Sequence, residues 1–290
     1  MPRLPIDLAR KIKDVLQHVQ PLPDEAKAPI LHYWRTGADT WVSLAYLERA
    51  VRDGERRPSV GSRHLGRLYG MVLVNLASTF ERFLKEIAAE CVDVLADFIV
   101  DDRFNVFAIQ GSAIASHFGA ATLGKSLCES STWLDCEEIN KRFRRLLSDP
   151  FQIGGKSFDL FPKQSQQPAE HQWRFEPMNL IWQIRHTAVH NVGVITNSDA
   201  VKMRLWTKEN VDAPQILAPT RRDLNHLKRF LDDTANVCNA RIGERLAELL
   251  TAVYTPTDSF ATPQQLADRV AAVFRLPMQI AGAKGIVPSD

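Results

Sequence analysis

Cysteine is scarce in this sequence: only Cys91, Cys128, Cys136 and Cys238 occur, and no two form a C-x-x-C pair. That spacing excludes a zinc ribbon and the dense disulfide framework of a small secreted domain. Reduced, structural thiols in a cytoplasm are the expectation. Charge of one sign is missing too, since 36 Lys and Arg face 34 Asp and Glu for a net charge of +2. This balance argues against a strongly basic nucleic-acid coat but leaves room for a local basic patch. A run of about 20 predominantly apolar residues is absent. The longest uncharged stretch, Phe104 to Gly124, contains Asn105, Gln110, His117 and three glycines, so no membrane span is expected. Met1 to Lys13 mixes prolines with charges and lacks the apolar h-region of a signal peptide. There is no internal repeat and no dense cluster of carboxylates or of Cys and His. No metal and no other cofactor is expected.

What is present is an ordinary globular composition, 45% hydrophobic and 24% charged, with helical periodicity along most of the chain. Apolar residues from Ile6 to Val19 recur at helical spacing until Pro21 and Pro23, and a second helical region, broken near Thr36-Gly37, covers Asp24 to Val51. The breaker-rich Asp53 to Gly61 stretch reads as a linker. Residues 1–52 are therefore expected to form an N-terminal helical extension. The longest helix is predicted over Ser62 to Val100, where Leu73, Leu76, Phe80, Phe83, Ile87, Cys91, Val94 and Phe98 alternate spacings of three and four in one packing seam. Glu81 lies beside that seam, on a face that is either solvated or able to offer a buried partner to an arginine.

Further along, Gly119-Ala120-Ala121-Thr122-Leu123-Gly124-Lys125-Ser126 fits the bare G-x-x-x-x-G-K-[ST] spacing. A phosphate-binding loop must follow a buried strand and open a helix. The preceding Ala113 to Phe118 is weakly strand-like and the chain has no β-α rhythm, so a helix and loop with a chance match is the simpler expectation. Glu137 to Leu147 is predicted helical, with Lys141, Arg142, Arg144 and Arg145 on its polar side as a solvated face or a phosphate-backbone contact surface. A long irregular connection from Asp149 to Glu170 leads to a helix beginning near Pro177. Val192 to Thr196 and Val201 to Thr207 read as short strands or extended arms. A second long helix is expected over Arg221 to Tyr254. Thr262-Pro263-Gln264-Gln265 makes a good helix start, with threonine as N-cap and proline in the first turn. This final helix runs to about Arg275, and Ala281 to Asp290 form a loose tail.

One stretch concentrates chemistry: Ile184-Arg185-His186-Thr187-Ala188-Val189-His190-Asn191-Val192-Gly193. Arginine carries a permanent cation with a fork of donors suited to phosphate, and histidine is the side chain whose unperturbed pKa lies nearest neutrality. On a continuous helix Arg185 and His190 stand about 140° apart, so convergence requires the helix to end or unwind between them. Asn191 and Gly193 are residue types that end helices through a left-handed turn. His186 and His190, four apart, share a face as zinc ligands do, but the segment lacks the adjacent glutamate and an obvious third ligand.

This stretch resembles the R-[polar]-x-x-x-H signature of the HEPN superfamily, in the variant that continues Asn-x-Gly. Leu76 to Leu84, with Glu81 in an apolar frame, is similar to the long helix that precedes the motif in that family, and Arg221 to Tyr254 to the one that follows. In many relatives asparagine follows the arginine; here that position is His186. The resemblance covers about Ser62 to Tyr254. It implies an all-α, HEPN-like helical bundle over residues 62–254 with two long antiparallel helices; the N-terminal extension and residues 255–290, a C-terminal helix and tail, lie outside it, and the short strands read after the motif leave room for a β-hairpin there. It further implies a metal-independent endoribonuclease, with a composite cleft between two protomers and a toxin or anti-phage defence setting in which an antitoxin or other protein partner is an option. In that scheme an RNA 2′-hydroxyl attacks the adjacent phosphate. Arg185 and His190 are catalytic, and His186, Asn191 and Glu81 are supporting. The alternative within the same resemblance is an inert module that binds RNA or a partner protein.

Overall fold

The computed structural model describes residues 28–54, 58–98, 103–104, 107, 122–129, 133–148, 158–163, 174–253, 261–278 and 280. They form α1 (Pro29–Gly54), α2 (Pro58–Leu95), α3 (Leu123–Glu129), α4 (Cys136–Leu146), α5 (Phe175–His190), β1 (Val194–Ile195), α6 (Asn197–Thr207), β2 (Gln215–Ile216), α7 (Arg221–Val253) and α8 (Pro263–Phe274). The expected all-α class is the one found. The predicted Ile6–Val19 helix and the Ala281–Asp290 tail lie outside the described residues, as do Gly119 to Ala121 of the glycine-lysine match.

The α2 seam is buried as its spacing predicts. Leu76, Phe80, Phe83, Ile87, Cys91 and Val94 all belong to the core, with Leu73 and Phe98 packed against it from its margin. Two cross-helix clusters fix the register of the long helices. At one level, Glu48 of α1 accepts a 2.8 Å hydrogen bond from the Tyr69 hydroxyl of α2 and lies 3.3 Å from Arg221 of α7. At the next, Tyr33 of α1 packs its ring against Phe80 and Phe83 of α2 and donates to Asp232 of α7 at 3.0 Å. Numbers fall along α1 while they rise along both α2 and α7. The two long helices therefore run parallel, and α1 runs antiparallel to both.

This corrects the antiparallel arrangement expected for α2 and α7. The physical reason is that α1 fills the place against both of them. Ile30, Tyr33 and Leu44 sit in the same core as α2 and α7, so residues 29–54 are a wall of the bundle rather than an appendage. The helix does not break at Thr36-Gly37, and the Thr40 hydroxyl bonds the Thr36 carbonyl at 2.8 Å across that point. Helix continues to Gly54 and resumes at Pro58, well inside the stretch read as a linker. Val201 to Thr207 is helical, not extended. Thr196 accepts from the Asp199 amide and Asp199 returns a bond to the Thr196 amide, a capping box that starts α6. In place of a tight hairpin, β1 and β2 pair as a two-residue antiparallel ladder with the whole of α6 between them.

The remaining helices close the bundle. Asn140 of α4 bonds Phe161 through both amide atoms, 2.7 Å to the carbonyl and 2.8 Å from the N–H, and so ties down the 158–163 segment. Thr262 and Gln265 form the reciprocal cap of α8, with proline at its start as the sequence predicts. Arg269 of α8 reaches Asp97 at the end of α2 at 2.7 Å. All four cysteines are buried and unbridged, and burial pushes the Cys238 thiol up to about 12 and those of Cys91 and Cys136 well above their ordinary value.

Gly124 explains part of the glycine-lysine match. Its N–H donates to Asp93 of α2 at 2.7 Å, and a Cβ there would stand 2.0 Å from the Ala89 carbonyl oxygen. Glycine is required because α3 crosses the α2 backbone at this point. Replacing it with alanine should therefore force the two helices apart and destabilise the fold by about 1 to 3 kcal/mol or more. Urea denaturation of Gly124→Ala against the wild type checks this, and an unchanged midpoint would refute the close-crossing account.

Candidate functional site

The chemistry-bearing stretch forms the second half of α5. This helix is seated at its start on α4, where Asn179 accepts from the Cys136 N–H at 3.1 Å, and at its middle on α2, where Trp182 packs against Phe80 with ring centroids 6.0 Å apart. A satellite apolar cluster of Ile195, Ala200 and Met203, with Leu180 and Ile184 of α5 against it, seats α6 on the opposite side. Between these two supports the helix runs unbroken to His190.

Because it does not unwind, α5 turns its functional side chains in different directions. Arg185 faces α2, where its Nη2 lies 3.6 Å from a Glu81 carboxylate oxygen, and both side chains are largely withdrawn from water. Of the two options read for Glu81, the buried arginine partner is the one found; Lys85 is a second partner at 3.0 Å. The Nε of Arg185 is buried with no hydrogen-bond acceptor among the described residues. His186 and His190 stand on another face, exposed, with ring centroids 4.6 Å apart. The expected convergence of Arg185 with His190 does not occur within one chain. Five residues of intact helix separate them by about 140° around the axis and about 7.5 Å along it.

The helix ends where Asn191 to Gly193 predict, but the left-handed residues are Val192 (φ 52°) and Gly193 (φ 82°), while Asn191 has φ −107°. The Thr187 carbonyl takes two amides, from Asn191 and Gly193, each at 3.1 Å. Asn191 instead uses its side chain, donating from Nδ2 to Asp199 at 2.8 Å. Gln183 donates to the other Asp199 oxygen at 2.8 Å, and Thr196 donates to Asp199 through both its N–H and its hydroxyl. Burial alone would raise the Asp199 pKa. The Thr196 and Asn191 donors, and the His186 ring nearby, outweigh burial and hold the carboxyl below its usual range. Asp199, Gln183 and Lys85 were not singled out from the sequence. The Thr196-x-x-Asp199 capping pattern is the signal that could have found the first.

The basic run on α4 is not gathered at this end of α5. Arg144 forms a two-pronged contact with Asp159, Arg142 stacks over Trp133 at 4.9 Å, Lys141 lies 3.8 Å from Glu138, and Arg145 is exposed in the last turn. α4 meets α5 at Phe175 and Asn179, and His190 lies eleven residues past Asn179, about 16 Å further along the helix. Among the described residues, no three or more His, Cys, Asp or Glu side chains stand together in a way that could hold a metal ion, so the His186–His190 pair has no third ligand there.

No protein-family model, no curated protein and no solved structure matches this chain.

Two outcomes follow from the geometry. Removing Glu81 strands Arg185 against α2, whereas removing Arg185 leaves Glu81 paired with Lys85. Glu81→Ala should cost about 1 to 3 kcal/mol, and more than Arg185→Ala, in paired urea titrations; the reverse order would contradict the pairing. The Asp199 carboxyl is held below its unfolded value, so its contribution is complete above the ordinary carboxylate range and is lost as pH falls through the lowered folded value. The stability gap between wild type and Asp199→Asn should accordingly shrink as pH falls from 7 through and below the ordinary carboxylate range; a gap that widens on acidification would show the opposite sign.

Proposed function

We propose that this protein is a metal-independent endoribonuclease of the HEPN type, acting as a homodimer in a toxin or anti-phage defence setting. The observation that carries the proposal is the Arg185-x-x-x-x-His190-Asn191-x-Gly193 pattern at the end of a buried-to-exposed helix, with Arg185 seated on Glu81 and both histidines facing outward.

His190 takes the proton of an RNA 2′-hydroxyl, or gives one to the departing 5′-oxygen, as the bond from O2′ to phosphorus forms and the bond from phosphorus to O5′ breaks. Arg185 meets the charge that accumulates on the non-bridging phosphoryl oxygens. The 2′-hydroxyl is the nucleophile, so RNA is the substrate and DNA is not. His186 and Asn191 orient the phosphate or His190, and Glu81 holds Arg185. The α4 arginines and Lys141 lie too far along the bundle to touch the same phosphate and would follow the RNA backbone away from it.

A second copy of the chain is part of the proposal. Val189, Val192, Val194, Val201, Leu205 and Ile216 are exposed on the elements around the histidines, Val192 to 87% and Ile216 to 74%. Exposed apolar surface is a mark of interaction sites where it gathers, and these side chains are the ones a second copy would cover. Val192 is also a β-branched residue in the left-handed region, a conformation that costs about 1 to 3 kcal/mol and concentrates at functional sites. The competing reading, an inert module that binds RNA or a partner protein, is favoured by the one-chain separation of Arg185 from His190.

Purified protein incubated with RNA in EDTA separates the two. Cleavage that falls by about 10²- to 10⁴-fold in His190→Ala is the expected result. Equal cleavage by both proteins, or none by the wild type, overturns the assignment, and RNA binding retained by His190→Ala without any wild-type cleavage would establish the inert module.

A further inference from the structure

Asp199 makes more bonds than a helix cap requires. A capping box needs the third helical residue to take back one bond from the N-cap N–H, and Thr196 supplies it at 3.0 Å. The same Oδ2 atom also receives the Thr196 hydroxyl and the Asn191 carboxamide, each at 2.8 Å, while Oδ1 receives Gln183 at 2.8 Å. Two of these four donors belong to α5 and its end, not to α6. Gln183, His186 and His190 fall within about 60° of one another around α5, so Asp199 is docked against the histidine face. It is only 3% exposed, and water does not compete for these bonds.

A carboxylate can only accept, so the Asn191 amide must present its NH2 group to it. That fixes which way the amide is turned, and its Oδ1 points away from Asp199. We propose that Asp199 is a positioning residue: it fixes the Asn191 carboxamide and the C-terminal end of α5 that carries His186 and His190. Its kinetic consequence rests on the endoribonuclease reading; its geometric consequence does not.

Two substitutions, one isosteric and one truncating, separate position from charge. In Asp199→Asn the new carbonyl can occupy the place of Oδ2 and accept the same three donors, while its NH2 meets Gln183, whose own amide turns over to offer oxygen. The bonds survive and only the charge is lost. In Asp199→Ala the bonds themselves go. The experiment follows the Asn191 side-chain amide and the His186 and His190 ring C–H signals by NMR in 15N,13C-labelled protein, beside steady-state RNA cleavage in EDTA. Asp199→Ala is expected to shift all three sets of signals, to open the Asn191 amide to solvent exchange, and to lower kcat by about 10- to 100-fold with KM little changed. Asp199→Asn should keep the amide protected and restore most of kcat. Should the alanine variant not fold, Asp199→Ser serves in its place, since it retains a cap hydroxyl but is too short to reach Asn191.

Unmoved Asn191 and histidine signals in the alanine or serine variant would overturn the proposal. So would an Asp199→Asn variant as impaired as the alanine one, or a loss confined to KM. Where the wild type cleaves no RNA, the endoribonuclease reading fails by itself and the NMR comparison alone decides the role of Asp199.

Discussion

The ion pair between Arg185 and Glu81 is the constraint to which the motif-bearing helix answers. A guanidinium cannot be packed against the apolar seam of α2 without a counter-charge, because a buried unpaired ion costs far more than the packing returns. Glu81 supplies that counter-charge from the margin of the seam, and its presence sets which face of α5 turns toward α2. Once that face is chosen, helical geometry dictates the others. His186 and His190 must turn away from α2, and the elements that follow must come back to cover the flank left between. α6 does so, on the small apolar cluster around Met203 and through the bonds that Gln183 and Asn191 donate to Asp199. One face of α5 is thus held by charge against charge, and another by a carboxylate amid neutral donors. The histidines stand outward at the edge of the second.

Much of this was legible in the residues because it is local or periodic. The α2 seam follows from alternating spacings of three and four, the α8 start from threonine, proline and glutamine, and the helix end at Asn191 to Gly193 from residue type. Glu81 could be marked as an arginine's partner because a lone carboxylate beside a long apolar seam needs one. What was not legible depends on how elements meet. The shared direction of α2 and α7 is set by α1, whose apolar residues look like those of any amphipathic helix until Tyr33 and Glu48 are seen touching both. Gly124 resembles part of a phosphate loop in one dimension and is a backbone crossing in three. The α6 stretch, rich in Val, Leu and Trp, suggested extended chain, and the capping box at its start overrode that preference. The basic α4 face likewise looked like one surface, but Asp159 and Trp133 draw its arginines in different directions.

The spacing of the motif then bears on what a single chain can do. A scissile phosphate offers charge on its non-bridging oxygens and protons on the nucleophile and leaving group, all within a few ångström. A cation and a proton carrier that serve the same phosphate must therefore approach it together. On an unbroken helix, five residues place them about 140° apart, with one directed into the bundle wall and the other into solvent. Unwinding α5 would bring them together, but Thr187 holds the last turn through two backbone bonds and Asp199 anchors Asn191 just beyond it. In the proposed homodimer a twofold axis would bring a second exposed histidine face to the same phosphate, while Arg185 of each copy, turned toward its own Glu81, would have to leave that wall to reach it. In such a dimer the rigid helix end would be an advantage: it would keep each half in one conformation before the halves meet, so that less order has to be imposed on association.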